Sequence, residues 1–193
     1  MDMNVPNSLT LARIAMIPIF GLVFFLPVEW SNLAAAVIFA LAAVTDWLDG
    51  WLARRLGQTS AFGAFLDPVA DKLMVAVALV ALVTENPSAF FALPAAVIIG
   101  REIAVSALRE WMAELGKRAT VAVNVIGKFK TGAQMIAIIL LVYGAPLLGL
   151  PTVALGMLLL YAAAGLTLWS MIVYLRAAWV VLVAEPRHDA GQT

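Results

Sequence analysis

Six apolar runs follow one another along the chain, each long enough for a bilayer-crossing helix, with only short breaks between them. A spanning helix needs about 20 mostly apolar residues. The runs extend from about Leu9 to Val28, Leu33 to Leu56, Phe62 to Thr84, Phe90 to Leu115, Val125 to Tyr143 and Pro151 to Val183. The breaks carry turn-forming residues: Pro27 with Ser31 and Asn32, Gly57 to Ser60, Asn86-Pro87-Ser88, Gly116 onward, and Gly144 to Pro151. Of 193 residues, 64% are apolar and 12% charged, against roughly 45–50% and 25% in a soluble domain. A water-soluble globule of this size could not hide so much apolar side chain, and disorder or a coiled coil is excluded on the same ground. The expected fold is an all-α integral membrane protein of six transmembrane helices, with residues 1–193 forming one domain. The last run exceeds what a bilayer requires and is expected to leave it as a surface helix near Arg176. Met1-Asp2-Met3 lacks the basic segment of a cleaved signal, so the first helix is expected to remain.

The charges orient the bundle. Lys plus Arg and Asp plus Glu number twelve each, so the total implies no nucleic-acid partner. None of the first, third and fifth turns contains Lys or Arg; all the basic residues lie toward the other side. The positive-inside rule puts that side, and both termini, in the cytoplasm. Topology alone explains Arg55, Arg176 and Arg187. It explains Lys72, Arg101 and Arg109 poorly, because these sit within apolar helices. An ionisable group at membrane depth is costly unless partnered and marks a functional candidate. With no cysteine, thiolate chemistry and zinc–thiolate sites are excluded.

The densest chemistry flanks the second turn. Residues three and four apart share a helix face, so Asp46, Asp49, Gly50, Ala53 and Arg54 form one stripe on the second helix. Gly63, Asp67 and Asp71 stand at i, i+4 and i+8 on the third. A short turn is expected to fold the two helices into an antiparallel hairpin, bringing both aspartate pairs to a similar depth near the cytoplasmic surface. Four carboxylates so placed repel one another and lose hydration, and hard divalent cations are the natural compensation. Four aspartates can serve two metals about 3.5–4 Å apart, the clamp used for in-line phosphoryl displacement. Gly50, Ala53 and Gly63 leave room against the helices, and Arg54 suits a phosphate. A carboxylate-lined proton or cation pathway is the alternative on these residues alone.

The pattern Asp-x2-Asp-Gly-x2-Ala-Arg-x8-Gly-x3-Asp-x3-Asp, from Asp46 to Asp71, resembles the signature of the CDP-alcohol phosphotransferase family at every fixed position. The flanks agree: Asn4 to Arg13, Arg101-Glu102, Ala107 to Arg118, and Gly127 to Gln134. Within the family, they resemble bacterial members that join CDP-diacylglycerol to sn-glycerol 3-phosphate, giving phosphatidylglycerol phosphate and CMP. The resemblance implies that Asp46, Asp49, Asp67 and Asp71 hold two Mg²⁺ (or Mn²⁺) on the diphosphate. It also implies that Asp71 accepts the proton of the attacking hydroxyl, and that Gly50, Ala53, Arg54 and Gly63 bind CDP-diacylglycerol. A homodimer in the bacterial inner (cytoplasmic) membrane, with its active site facing the cytoplasm, is implied as well.

The acceptor carries its own phosphate and needs cations. The candidates are Lys72, Arg101, Arg109, Arg118, Lys128 and Lys130, with Arg101, Arg118, Lys128 and Lys130 selected as its site. Arg101 leads because it lies deep in an apolar helix, although a salt bridge to Glu102 or a signature aspartate would also account for it. The alternative within the family is another acceptor alcohol, serine, inositol phosphate or a second phospholipid; these differ in charge, and serine would not need the cluster of Arg101, Arg118, Lys128 and Lys130. Trp47 and Trp51 could line the donor path, the methionines read as packing or lipid-facing residues, and His188 is expected to have no catalytic role.

Overall fold

A computed structural model describes residues 5–56, 61–114 and 125–183. These form six helices and no strand: α1 (Val5–Phe24), α2 (Ser31–Leu56), α3 (Ala61–Glu85), α4 (Ala89–Glu114), α5 (Val125–Tyr143) and α6 (Thr152–Val183). Each falls on one of the six apolar runs, with ends shifted by up to four residues. The first helix starts earlier than the run because Pro6 is tolerated in a first turn, and it stops before Pro27, which disfavours helix at the preceding residue. Pro18, Pro68 and Pro94 lie inside helices, as apolar bundles tolerate. Between α5 and α6, Gly144 closes the helix at φ 68°, and Leu148 (φ 51°) with Gly149 (φ 80°) turns the chain back so that Leu147 and Leu150 pair. The sixth helix is 32 residues long, about 48 Å at 1.5 Å per residue, and it passes Arg176 without a break.

Two of the helices, α4 and the Thr152–Arg176 part of α6, are long and apolar enough to cross a membrane. Shorter apolar stretches run through Ser8–Phe24, Ser31–Asp46 and Lys130–Tyr143. The outward faces match: Leu22, Leu93, Phe90, Ile103, Leu158 and Trp169 are all more than 60% exposed. A continuous apolar exterior of this kind suits hydrocarbon rather than water.

The core joins Phe20 and Phe24 of α1, Ala35, Ala36 and Phe39 of α2, and Ala78, Leu79 and Leu82 of α3. Ile98 of α4, Ile138 and Val142 of α5 and Leu160 of α6 complete it. The Phe20 and Phe39 rings lie 6.1 Å apart, pinning α1 to α2. Among the described residues, the first helix packs extensively against both α2 and α3, whereas α2 and α3 touch each other much less. Short connections make neighbours in sequence, but the bulky aromatic face of α1 and its buried polar residues decide which surfaces are covered.

Candidate active site

Three of the four signature aspartates have described side chains, and α1 reaches two of them. Nη1 of Arg13 donates to Oδ1 of Asp46 at 2.7 Å, and the hydroxyl of Thr10 donates to Oδ1 of Asp67 at 2.5 Å. Thr10 and Arg13 are one helical turn apart and each is 1% exposed. A guanidinium so far from water requires an anion, and Asp46, itself 41% exposed, supplies one. Asp46 stands ten residues before the end of α2 and Asp71 ten residues into α3, about 15 Å of helix in each case. Asp71 lies within electrostatic reach of Asp46, Arg13, Glu102 and Lys72. Asp71 also lines a narrow cleft with Arg13, Ala42, Ala43 and Met135, and it makes no hydrogen bond to another described residue.

A second cluster continues from Asp71 across α4, α5 and α6. Nζ of Lys72 donates to the hydroxyl of Ser106, which in turn donates to the carbonyl of Glu102 at 2.7 Å. The carboxylate of Glu102 pairs with Arg101 at 2.5 Å and with Lys130 at 3.6 Å. Arg101 reaches on to Ser170 of α6 at 3.3 Å. Two of the acceptor-site candidates, Arg101 and Lys130, are therefore brought together, and the salt bridge to Glu102 weighed from sequence is present. The side chains of Asp49, Gly50, Ala53, Arg54, Arg109 and Lys128, and all of Arg118, lie outside the described residues. Gly63 is buried. Trp51 is 38% exposed, with the Arg55 guanidinium 4.9 Å above its ring.

The sequence did not single out Thr10 and Arg13. The available signal was a cation eight residues into an apolar helix with a hydroxyl one turn before it, both within the flank that resembles the family. Ser106, Thr167 and Ser170 carried no signal, since hydroxyls are ordinary in close-packed membrane helices.

The donor set tests which ion could bind. Among the described residues no three His, Cys, Asp or Glu groups already form a metal-holding cluster; Asp49 is the signature member missing from that description. Asp46, Asp67 and Asp71 offer only carboxylate oxygen, with no imidazole or thiolate beside them among the described residues, which fits a hard cation such as Mg²⁺ or Mn²⁺ rather than zinc.

A profile of the CDP-alcohol phosphatidyltransferase family matches residues 3–184. The chain belongs to this family. A relative from Pseudomonas fluorescens is 57% identical over 188 residues, covering 97% of this chain and 96% of its own. One from Escherichia coli (strain K12) is 57% identical over 181 residues, covering 92% and 96%, and one from Shigella flexneri serotype 5b is 57% identical over 178 residues with the same coverage. Each bears the name CDP-diacylglycerol–glycerol-3-phosphate 3-phosphatidyltransferase. The family match spans α1 through α6, so the helices carrying Thr10 and Arg13, the aspartates and the Arg101–Glu102–Lys130 cluster all fall within it.

Proposed function

We propose that this single-domain protein transfers the phosphatidyl group of CDP-diacylglycerol to sn-glycerol 3-phosphate, giving phosphatidylglycerol phosphate and CMP. The carrying observation is the near full-length identity of 57% to relatives bearing that enzyme name. The geometry supports it: carboxylates of α2 and α3 stand beside a cationic cluster on α4 and α5. Asp46, Asp49, Asp67 and Asp71 would hold two divalent cations, Mg²⁺ or Mn²⁺. Bound there, such ions supply charge neutralisation for the diphosphate and for the departing CMP. Arg13 and Thr10 orient Asp46 and Asp67 toward that task. Gly50, Ala53 and Gly63 leave space for the nucleotide end of the donor, and Arg54 offsets part of its charge.

The acceptor is held by its phosphate through Arg101 and Lys130, with Arg118 and Lys128, which the sequence places on either side of the second cytoplasmic turn, adding positive charge. Asp71 takes the proton of the attacking hydroxyl while the phosphate–CMP bond breaks, a role that needs only hydrogen-bond reach in the substrate complex. In this reading six helices span the bacterial inner membrane with both termini in the cytoplasm. The donor's acyl chains stay in the bilayer, its head meets water at the inner ends of α2 and α3, and the protein works as a homodimer.

The test is CMP release by purified protein from CDP-diacylglycerol with a panel of acceptors, with and without EDTA. Release is expected with glycerol 3-phosphate and not with serine or inositol phosphate, and the chelator abolishes it. Release with another alcohol instead would move the assignment within the family. Cation flux into liposomes lacking CDP-lipid, with no CMP release, would replace it by a transporter.

A further inference from the structure

Two buried polar atoms on α4 and α6 have no hydrogen-bond partner among the described residues: Nε of Arg101 and Oγ1 of Thr167. Thr167 is 0% exposed and the Arg101 side chain 12%. Ser170 connects them. It stands one turn beyond Thr167 on the same face of α6; its hydroxyl accepts from Nη2 of Arg101 at 3.3 Å and donates to the Thr167 carbonyl at 2.9 Å. A polar group taken out of water without a partner is destabilising, and two at one helix–helix contact call for a shared ligand. The chemistry of that ligand can be read from what is unspent. Arg Nε–H can only donate, and a Thr hydroxyl has a proton to give. Beside them lie two cations, the Arg101 guanidinium and the Lys130 ammonium, both paired with Glu102. Unspent donors next to cationic side chains fit an oxygen-rich anion.

We propose that Thr167 of α6 is a specificity-determining residue of the acceptor phosphate site, donating its hydroxyl to a phosphate oxygen that Arg101 Nε also binds, while Ser170 holds the Arg101 fork in place. This rests on the acceptor reading of Arg101 given above and adds α6 to the site. It explains why a hydroxyl is kept in the buried stripe of a largely apolar helix, between Ala163 and Ser170.

The test replaces Thr167 by Val, which keeps the shape and removes the hydroxyl, and by Ser, which restores it. In Thr167→Val the KM for glycerol 3-phosphate should rise about tenfold, the size of a lost hydrogen bond to a charged group, with the KM for CDP-diacylglycerol unchanged. Thr167→Ser should return the acceptor KM to near the parent value. Without donor lipid, glycerol 3-phosphate should raise the unfolding temperature of the parent protein, and at the same concentration do so far less for Thr167→Val. An unchanged acceptor KM in Thr167→Val, as expected if a structural water takes these donors, overturns the proposal. So does an equal rise in both KM values. Failure of the parent protein to release CMP with glycerol 3-phosphate would instead overturn the functional reading on which the proposal depends.

Discussion

Arg13 and Asp46 form an unequal pair, and the inequality is measurable. The guanidinium is 1% exposed and the carboxylate 41%, so removing one partner does not mirror removing the other. Asp46→Ala leaves a buried cation short of its anion. Breaking a buried pair in this way costs about 3–5 kcal/mol, and because Arg13 keeps further contacts the lower end, about 3 kcal/mol, is expected. Arg13→Met leaves a half-exposed carboxylate that water can solvate, and its stability loss should be smaller by at least about 1 kcal/mol. Thermal unfolding in detergent with chelator present separates this effect from any metal ligation. Equal losses in the two variants would show that the pair does not carry the burial of Arg13.

At the scale of whole helices, α1 and α6 decide the form of the site. The first helix lies against both α2 and α3 and sends Thr10 and Arg13 to one carboxylate of each, so the aspartate stripes are read by a third helix rather than only by each other. The sixth helix packs tightly on α5, and Gly156 sets that distance. A Cβ there would lie 2.8 Å from Cγ of Leu141 and 3.2 Å from the Ala137 carbonyl oxygen. Leu141 is a buried core residue and the carbonyl belongs to α5 itself, so neither can move aside freely. Gly156→Ala should therefore destabilise by about 1–3 kcal/mol, as overpacking does. Gly165→Ala, with nothing within 4 Å of its Cβ position, should change stability little and in the favourable direction. Unfolding midpoints of the two variants in the same detergent check the contrast.

The whole molecule makes a prediction about sidedness. The chain has no cysteine, so a single introduced thiol reports its own position. Ser88 and Glu114 bracket α4 and both are exposed. In intact cells, an impermeant maleimide should label Ser88→Cys and not Glu114→Cys; after lysis both should react. The opposite pattern would invert the positive-inside orientation and put the aspartates at the outer surface of the membrane.

What the sequence determined by itself was set by local periodicity. Six helices, their breaks within a few residues and the aspartate stripes of α2 and α3 follow from apolar run length, from Gly and Pro, and from 3.6-residue spacing, all properties of neighbouring residues. That Asp46 and Asp71 come within electrostatic reach of each other was legible for the same reason, because helix rise converts sequence distance into height. Only the tertiary structure decided which helix faces meet. That α1 lies across α2 and α3, that Arg13 is a buried partner of Asp46, and that Glu102 also takes Lys130 of α5 depend on contacts between residues far apart in the chain. Such contacts are chosen by the packing of aromatic and small side chains over the whole bundle, and no window of neighbouring residues contains that information.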